Sequence, residues 1–135
     1  MQTRELGRTE LEVTTVGLGT WAVGGWCWHD ARGPRDDEAV AGIVVAVDGG
    51  IKRTGTAAVY GLGHSEELVG KVLRKTVHKP VAAAKRGRLG DARGQIVHCL
   101  THGNFRRECE ANLGADDTEQ TRRLLIHRQC GLSCS

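Results

Sequence analysis

The residues best suited to chemistry lie in one stretch, GTAAVYGLGHSEELVG, residues 55–70, which contains the only tyrosine of the chain. Tyr60 follows a run of small residues and precedes a glycine-rich turn that leads into a predicted helix. A phenol in such a place is able to act as a catalytic proton donor. A lone tyrosine after a small-residue strand is more often a packing residue. Taken by itself, the stretch leaves both interpretations open.

A second group of chemically active residues is dense near the C-terminus. It comprises His98, Cys99, His102, Cys109, His127, Cys130 and Cys134. Structural zinc usually requires a close pair of ligands and a second pair at a fixed distance. Cys130 and Cys134 have a suitable spacing, but no clean second pair accompanies them. We therefore expect no metal site, with a zinc-binding tail as the alternative.

Composition limits the size of the core and the kinds of partner. The 135 residues amount to one domain, 1–135, with 39% hydrophobic residues and 19 glycines, which is a thin supply for a core. The net charge of +3 is small, and the basic pairs are not interleaved with aromatic residues as a single-strand-binding surface requires. We therefore expect no nucleic-acid partner.

The hydropathy pattern and the cysteines bear on the compartment. No run of about 18 apolar residues is present, which predicts no membrane span. The first twelve residues, MQTRELGRTELE, lack the apolar segment of a signal peptide. Five cysteines without a CxxC pair argue against a disulfide framework. These features predict a cytoplasmic protein with reduced thiols.

The elements that must position Tyr60 alternate between strand and helix patterns. The sequence predicts a small hairpin leading into a first strand over 2–18, then helices over 38–48, 66–75 and 104–113. Between and after these helices it predicts short strands over 51–55, 81–84 and 124–127, with a long loop between the third strand and the last helix. Ser65 is the predicted N-cap of the second helix. Alternation of this kind favours an α/β fold with a parallel sheet.

Five segments, in this order, resemble the aldo-keto reductase family. They are LGRTELEVTTVGLGTWAVGGW, GTAAVYGLGHSEELVGKVL, the lysine in AAAKRG, RRECEANL and LLIH. The resemblance implies a (β/α)8 TIM barrel, of which this chain would supply roughly the first four β/α units after an N-terminal hairpin. It also implies NADPH-dependent reduction of aldehydes and ketones to alcohols, with NADP(H) as cofactor and a small carbonyl compound as substrate.

The resemblance assigns roles to individual residues. It implies Tyr60 as the proton donor, Lys85 as the ammonium that lowers the tyrosine pKa, and His127 as the residue that orients the carbonyl. Each follows a predicted strand end, as a barrel active site requires. It further implies that Gly19, Thr20 and Trp21 lie near the cofactor, with Trp26 and Trp28 beside a substrate pocket or covering the barrel mouth.

One departure from the family pattern concerns the catalytic set itself. The family has an aspartate directly before Thr-Ala, whereas this chain has Gly55 before Thr56 and Ala57. A glycine cannot pair with Lys85, and losing one member of a cooperating set typically costs orders of magnitude in rate. A barrel of this type also takes about 250 residues. We therefore expect a truncated or degenerate reductase with little or no activity, whose NADP(H) binding is doubtful.

The polar strands leave a second hypothesis. KRTG and TEQTRR stand where buried strands are expected, and a sheet of four strands would expose both of its edges. The alternative to an enzyme is thus a non-enzymatic α/β module, or a decayed remnant, that acts through partner binding. Self-association through the open edges is the form that such binding would take.

Overall fold

A computed structural model describes residues 1–24, 35–91, 93, 95–116 and 123–126, and for residues 89, 112–116 and 123–126 the description covers the backbone. The strands are β1 (Thr3–Glu5), β2 (Glu12–Thr14), β3 (Leu18–Gly19), β4 (Arg53–Ala57), β5 (Val81–Arg86), β6 (Arg88–Gly90), β7 (Ile96–His98) and β8 (Arg123–Ile126). The helices are α1 (Asp36–Asp48), α2 (His64–Lys75) and α3 (His102–Asp116), and 3₁₀ turns span Trp21–Gly24 and Tyr60–Gly63.

The chain opens with the predicted hairpin. Strands β1 and β2 pair antiparallel, with Thr3 opposite Thr14. Gly7 supplies the left-handed backbone, φ 61°, that the turn between them requires. Lys52 joins this hairpin to the start of β4, because its ammonium lies 2.6 Å from Glu12 and its backbone N–H donates to the Thr14 hydroxyl at 3.1 Å.

The predicted parallel sheet is confirmed and has the order β3-β4-β5-β8. Each of its three strand pairs is parallel, with Gly19 opposite Gly55, Gly55 opposite Ala83 and Lys85 opposite Leu125. Parallel neighbours require crossover connections, and α1, α2 and α3 occupy those connections. The C-terminal ends of the four strands therefore meet at one edge of the sheet.

The core lies between α1, α2 and the sheet. Its buried residues are Ala39, Ile43, Val47, Leu68, Val69, Val72, Leu73 and Ala82. Helix α1 begins at Asp36, with acidic residues in its first turn as expected, and contributes Ala39, Ile43 and Val47. Val40 and Val44 are partly buried at its margin. Val45 is 71% exposed, so this helix leaves apolar surface uncovered.

Two local predictions are wrong. Ser65 is not an N-cap, because α2 begins at His64 after the left-handed Gly63, and the Ser65 side chain is fully buried inside the helix. The long loop predicted after the third strand contains a second hairpin, in which β6 and β7 pair antiparallel. Asp91 supports its turn by accepting the N–H groups of Arg93 and Gln95, both at 2.8 Å.

Along strands β4 and β5, alternate residues face the helices and the opposite side of the sheet. Thr54 and Thr56 are buried toward α1 and α2, together with Ala82, Ala84 and Arg86 of β5. The alternate positions, among them Arg53, Gly55 and Lys85, are partly or fully exposed. The expected penalty for burying Arg53 does not arise, because its side chain lies at the surface and donates to the Thr15 carbonyl at 3.3 Å. Within the described segments, no helix has the length and apolar character that crossing a bilayer requires.

Candidate active site

Lys85 and Tyr60 meet at the C-terminal edge of the sheet. Tyr60 opens the 3₁₀ turn that follows β4, and Lys85 is the penultimate residue of β5. The Lys85 Nζ atom lies 4.8 Å from the centroid of the Tyr60 ring. A cation over an aromatic face is attracted by the ring quadrupole, so the contact fixes the two side chains relative to each other. The structure thus brings together two of the three predicted catalytic residues.

The surroundings of Lys85 act on its charge in opposite directions. Its Nζ donates a hydrogen bond to the Thr56 carbonyl at 2.7 Å. Burial is the largest influence and lowers the pKa of Lys85 below its usual value, while the charge of Glu66 raises it and the charge of Arg86 lowers it. Among the described residues, no carboxylate lies within salt-bridge distance of Lys85. The ammonium is therefore held by a backbone carbonyl and a ring.

Gly55 lies on the same face of the sheet as Lys85. It is the register partner of Ala83, and Ala83 and Lys85 alternate with the buried Ala84 on β5. A Cβ atom added at Gly55 would meet a single neighbour, the Leu18 carbonyl oxygen at 4.0 Å. A Cβ atom therefore fits at this position without a clash among the described residues.

Buried hydroxyl groups hold the strand ends against α2. The Ser65 hydroxyl lies 2.9 Å from the Thr20 carbonyl, 2.8 Å from the Thr20 hydroxyl and 3.2 Å from the Thr56 hydroxyl. The Gly55 carbonyl accepts both the backbone N–H and the hydroxyl of Thr20, at 3.0 and 3.1 Å. This hydroxyl network fixes the backbone on either side of the Thr56 carbonyl that Lys85 uses. Sequence reasoning missed it, although the signal was a serine and two threonines at positions with apolar surroundings.

A buried ion pair lies directly behind Lys85. Arg86 has no exposed surface, and its Nη1 is 2.9 Å from Glu66, whose side chain is also buried. Glu108 of α3 accepts the Gly87 N–H with its two oxygens at 3.3 and 3.4 Å, and burial raises its pKa while Arg86 lowers it. The charged residues at these positions were visible in the sequence, but nothing there indicated that they were buried together.

A close backbone approach positions the Tyr60 turn. Gly61 has φ +59°, and a Cβ atom there would collide with the carbonyl oxygen of Gly24. Leu62 and Gly63 continue the left-handed backbone, with φ values of 52° and 101°. A leucine rarely adopts this conformation, so the turn holds Leu62 under strain. The contact places the turn that contains Tyr60 against the turn Trp21–Gly24.

The predicted cofactor residues occupy the end of β3. A Cβ atom at Gly19 would meet nothing within 4 Å, and Trp21 is 51% exposed, so there is room for a flat ring beside them. Thr20 is fully buried and its hydroxyl is used within the hydroxyl network. Gly19 and Trp21 thus fit the ring end of a dinucleotide, and a cofactor role for Gly19, Thr20 and Trp21 stays a prediction.

Several predicted residues lie outside the described part of the chain. They are His127, Trp26, Trp28, Cys130 and Cys134. Over the described residues no group of three or more histidine, cysteine, aspartate or glutamate side chains is arranged to hold a metal ion. The expectation of reduced thiols is wrong at Cys99, which is disulfide-bonded, whereas Cys109 is free. Cysteine spacing alone does not reveal pairing.

Parallel strands joined by helices, with Tyr60 and Lys85 at the C-terminal ends of the strands, define an α/β protein with a parallel sheet, the arrangement from which β/α barrels are built. The sequence profile of the Aldo/keto reductase family matches residues 15–130, and the chain belongs to that family.

Individual relatives agree with this assignment. The chain is 39% identical over 75 residues to aldo-keto reductase YhdN of Bacillus subtilis, an alignment that covers 56% of this chain and 22% of that protein. It is similar to the glycerol dehydrogenase AKR11B4 of Gluconobacter oxydans, with 36% identity and a TM-score of 0.74 over 87% of this chain and 36% of that one.

A third relative carries a cofactor. The aldo/keto reductase of Klebsiella pneumoniae in complex with NADP and acetate is 25% identical, with a TM-score of 0.67 over 90% of this chain and 38% of that one. The chain thus spans less than half the length of these relatives.

Proposed function

We propose that this chain carries the proton-donating part of an NADP-dependent carbonyl reductase site in an impaired form. The observation that supports the proposal is the contact of Lys85 with Tyr60, 4.8 Å from Nζ to the ring centroid, at the C-terminal edge of a parallel sheet. In a working site the nicotinamide supplies the hydride. The residues of this chain would handle the proton and the orientation of the substrate.

Each residue has a defined task in that reaction. The Tyr60 hydroxyl donates a proton to the carbonyl oxygen as the alcohol forms, and a nearby positive charge on Lys85 eases that donation. His127 orients the carbonyl, and Gly19 and Trp21 accommodate the cofactor ring. The substrate class is an aldehyde or ketone.

The impairment follows from Gly55. Without a carboxylate on the neighbouring strand, burial dominates the pKa of Lys85 and lowers it. A neutral amine stabilises a developing phenolate less than an ammonium does, so proton donation by Tyr60 becomes slower.

The test is an assay of NADPH oxidation with an aromatic aldehyde. We expect little or no turnover from the purified chain. Gly55→Asp should raise any residual rate, and Gly55→Asn, which adds the same volume without the charge, should not. Turnover by the unaltered chain at rates usual for an enzyme, on the order of 1–10³ per second and abolished by Tyr60→Phe, would contradict the impairment.

A second candidate function rests on the sheet edges. Strands β3 and β8 each have a neighbour on one side only within the described residues. Unpaired strand edges are templates for pairing with another chain, so a non-enzymatic module would associate through them. Size-exclusion chromatography discriminates the outcomes, because a single dimer peak supports the module and a broad aggregate supports a decayed remnant.

A further inference from the structure

We propose that Lys85 is a nucleophile that captures aldehydes covalently as a Schiff base. This activity goes beyond carbonyl reduction and requires no cofactor. It rests on the proposed function only for the choice of an aldehyde as the ligand. Gly55 stands where the family has an aspartate, and this replacement impairs proton donation by Tyr60. The same replacement leaves Lys85 available for a different reaction.

The position of Lys85 meets the first requirement, which is access. Its side chain is on the face of β5 that turns away from α1 and α2, and it is partly exposed at the strand end. The adjacent Gly55 leaves open space on the same face, since a Cβ atom there has one neighbour at 4.0 Å. An aldehyde carbon can therefore approach Nζ over Gly55, where a side chain would otherwise stand.

The second requirement is a neutral amine at ordinary pH. A lysine becomes a Schiff-base nucleophile when it is desolvated and has no carboxylate to hold its charge. Within the described part of the chain no carboxylate lies within salt-bridge distance of Lys85. The charge of Glu66 favours its ammonium form, and the charge of Arg86 opposes it. The Thr56 carbonyl and the Tyr60 ring favour the ammonium. Burial opposes them and on balance the pKa of Lys85 is lowered.

The reaction balances without an oxidant or a reductant. The Nζ lone pair forms a bond to the aldehyde carbon, and the carbonyl oxygen takes up a proton to give a carbinolamine. The nitrogen loses a proton to water, and the hydroxyl gains a proton and leaves as water, which gives an iminium ion. The iminium nitrogen then loses its remaining proton to water. The product is an imine between Nζ and the former aldehyde carbon. Imine and water have together the atoms of the amine and the aldehyde.

The other lysines provide the comparison. Lys52 is paired with Glu12, Lys71 lies 3.9 Å from Asp36, and Lys79 donates to the Leu73 carbonyl. Lys75 ends α2 and is exposed to solvent. All four side chains are more hydrated than that of Lys85. Higher labelling of Lys85 than of these four lysines therefore measures the effect of its environment on its reactivity.

The experiment is reductive trapping with benzaldehyde and sodium cyanoborohydride near neutral pH, without NADP(H). Peptide mass mapping then gives the benzyl occupancy of each lysine. Because a lowered pKa increases the neutral fraction of an amine at a given pH, we expect labelling of Lys85 to exceed that of Lys75 severalfold. Lys85→Arg should remove the dominant adduct, and Lys75→Arg should leave it in place.

Substitutions at Gly55 separate the effect of a nearby charge on Lys85 from the effect of side-chain accessibility. Gly55→Asp should cut the labelling of Lys85 severalfold and shift its pH dependence upward, whereas Gly55→Asn, of the same size, should leave that pH dependence unchanged. Equal labelling of all five lysines, or equal effects of Asp and Asn, would overturn the proposal. The trapping assay uses no NADPH, so a negative reductase assay does not affect the trapping result. A negative trapping result likewise does not affect the reductase assay.

Discussion

The two faces of strands β4 and β5 differ in the hydrogen bonds and ion pairs that their side chains make. On the helix side, the Ser65 hydroxyl lies 3.2 Å from the Thr56 hydroxyl and 2.8 Å from the Thr20 hydroxyl. Arg86 on the same side is paired with Glu66 at 2.9 Å. On the opposite side Gly55 has no side chain, and Lys85 has a carbonyl and a ring for partners.

The difference separates what the fold needs from what the chemistry needs. A buried polar group without a partner costs free energy in every copy of the folded protein. The helix side is therefore constrained as long as the chain folds. A carboxylate opposite Lys85 serves catalysis, and its replacement by glycine leaves the packing undisturbed. The comparison predicts large stability effects on one side and small ones on the other.

The largest effect is expected from Arg86→Ala on the helix side. Removing this guanidinium takes away the 2.9 Å ion pair with the buried Glu66. Breaking a buried pair from one side typically costs about 3–5 kcal/mol. Urea unfolding followed by circular dichroism measures the loss. The exposed Arg4→Ala, as a control, should stay within about 0.5 kcal/mol of the unaltered chain, and an equal response of both variants would remove the contrast.

Ser65→Ala tests the hydroxyl network with a smaller expected change. The substitution leaves the Thr20 carbonyl and the Thr56 hydroxyl without their contacts at 2.9 and 3.2 Å. Unsatisfied buried groups cost roughly 1–3 kcal/mol. The matching control is Thr3→Ala, which removes an exposed hydrogen bond to Glu12. Thermal unfolding of the two variants should separate them, and coincident curves would show that the network adds nothing.

Alanine substitutions at two glycines test the predicted difference in stability effects. Gly61→Ala should destabilise the chain by more than about 1 kcal/mol, since its Cβ atom would collide with the Gly24 carbonyl and φ is +59°. Gly55→Ala should be neutral or stabilising by about 0.4–1 kcal/mol, because its Cβ atom meets open space. Denaturant midpoints check both, and a large loss from Gly55→Ala would show that the catalytic face also constrains folding.

The smallest effect concerns the pairing of α1 with α2 through His64. The hydrogen bond that the His64 Nε2–H donates to Asp36 at 2.7 Å is the main cause that raises the pKa of His64. A raised pKa in the folded state gives stabilisation that is complete below the unfolded value of about 6.5 and is lost as pH rises through the folded value. Both side chains are substantially exposed, so the change between about pH 6 and pH 8 should stay below about 1 kcal/mol.

A matched pair of variants isolates this effect. His64→Gln should flatten the fall in stability over that pH range, whereas His78→Gln, at an exposed histidine outside the pair, should leave it unchanged. Thermal midpoints measured across the range provide the comparison. A fall in stability that persists in His64→Gln would assign the pH dependence to another group.

Much of this architecture is predictable from residue patterns, and the parts that are not have physical reasons. The alternation of strands and helices predicted the parallel sheet, and the family resemblance placed Tyr60 and Lys85 at neighbouring strand ends. The poor strand around Arg53 forms because parallel pairing on both sides outweighs its weak propensity. Ser65 was predicted as a helix N-cap because a sequence does not show backbone angles. The positive φ values of residues 61–63 end at Gly63, and α2 begins directly after it. The burial of Arg86 depends on Glu66 and Glu108, which come from two different helices.

The central claim is that, among the described residues, Gly55 leaves Lys85 without a carboxylate within salt-bridge distance, and a titration of Lys85 itself tests it most directly. Carbon-13 labelling of the lysine ε-carbons, with assignment by Lys85→Arg, gives its pKa by nuclear magnetic resonance in the unaltered chain, Gly55→Asp and Gly55→Asn. We predict a pKa below the usual lysine value in the unaltered chain, a rise in Gly55→Asp and no rise in Gly55→Asn. A Lys85 pKa at the usual lysine value, or one unmoved by the aspartate, would contradict the claim.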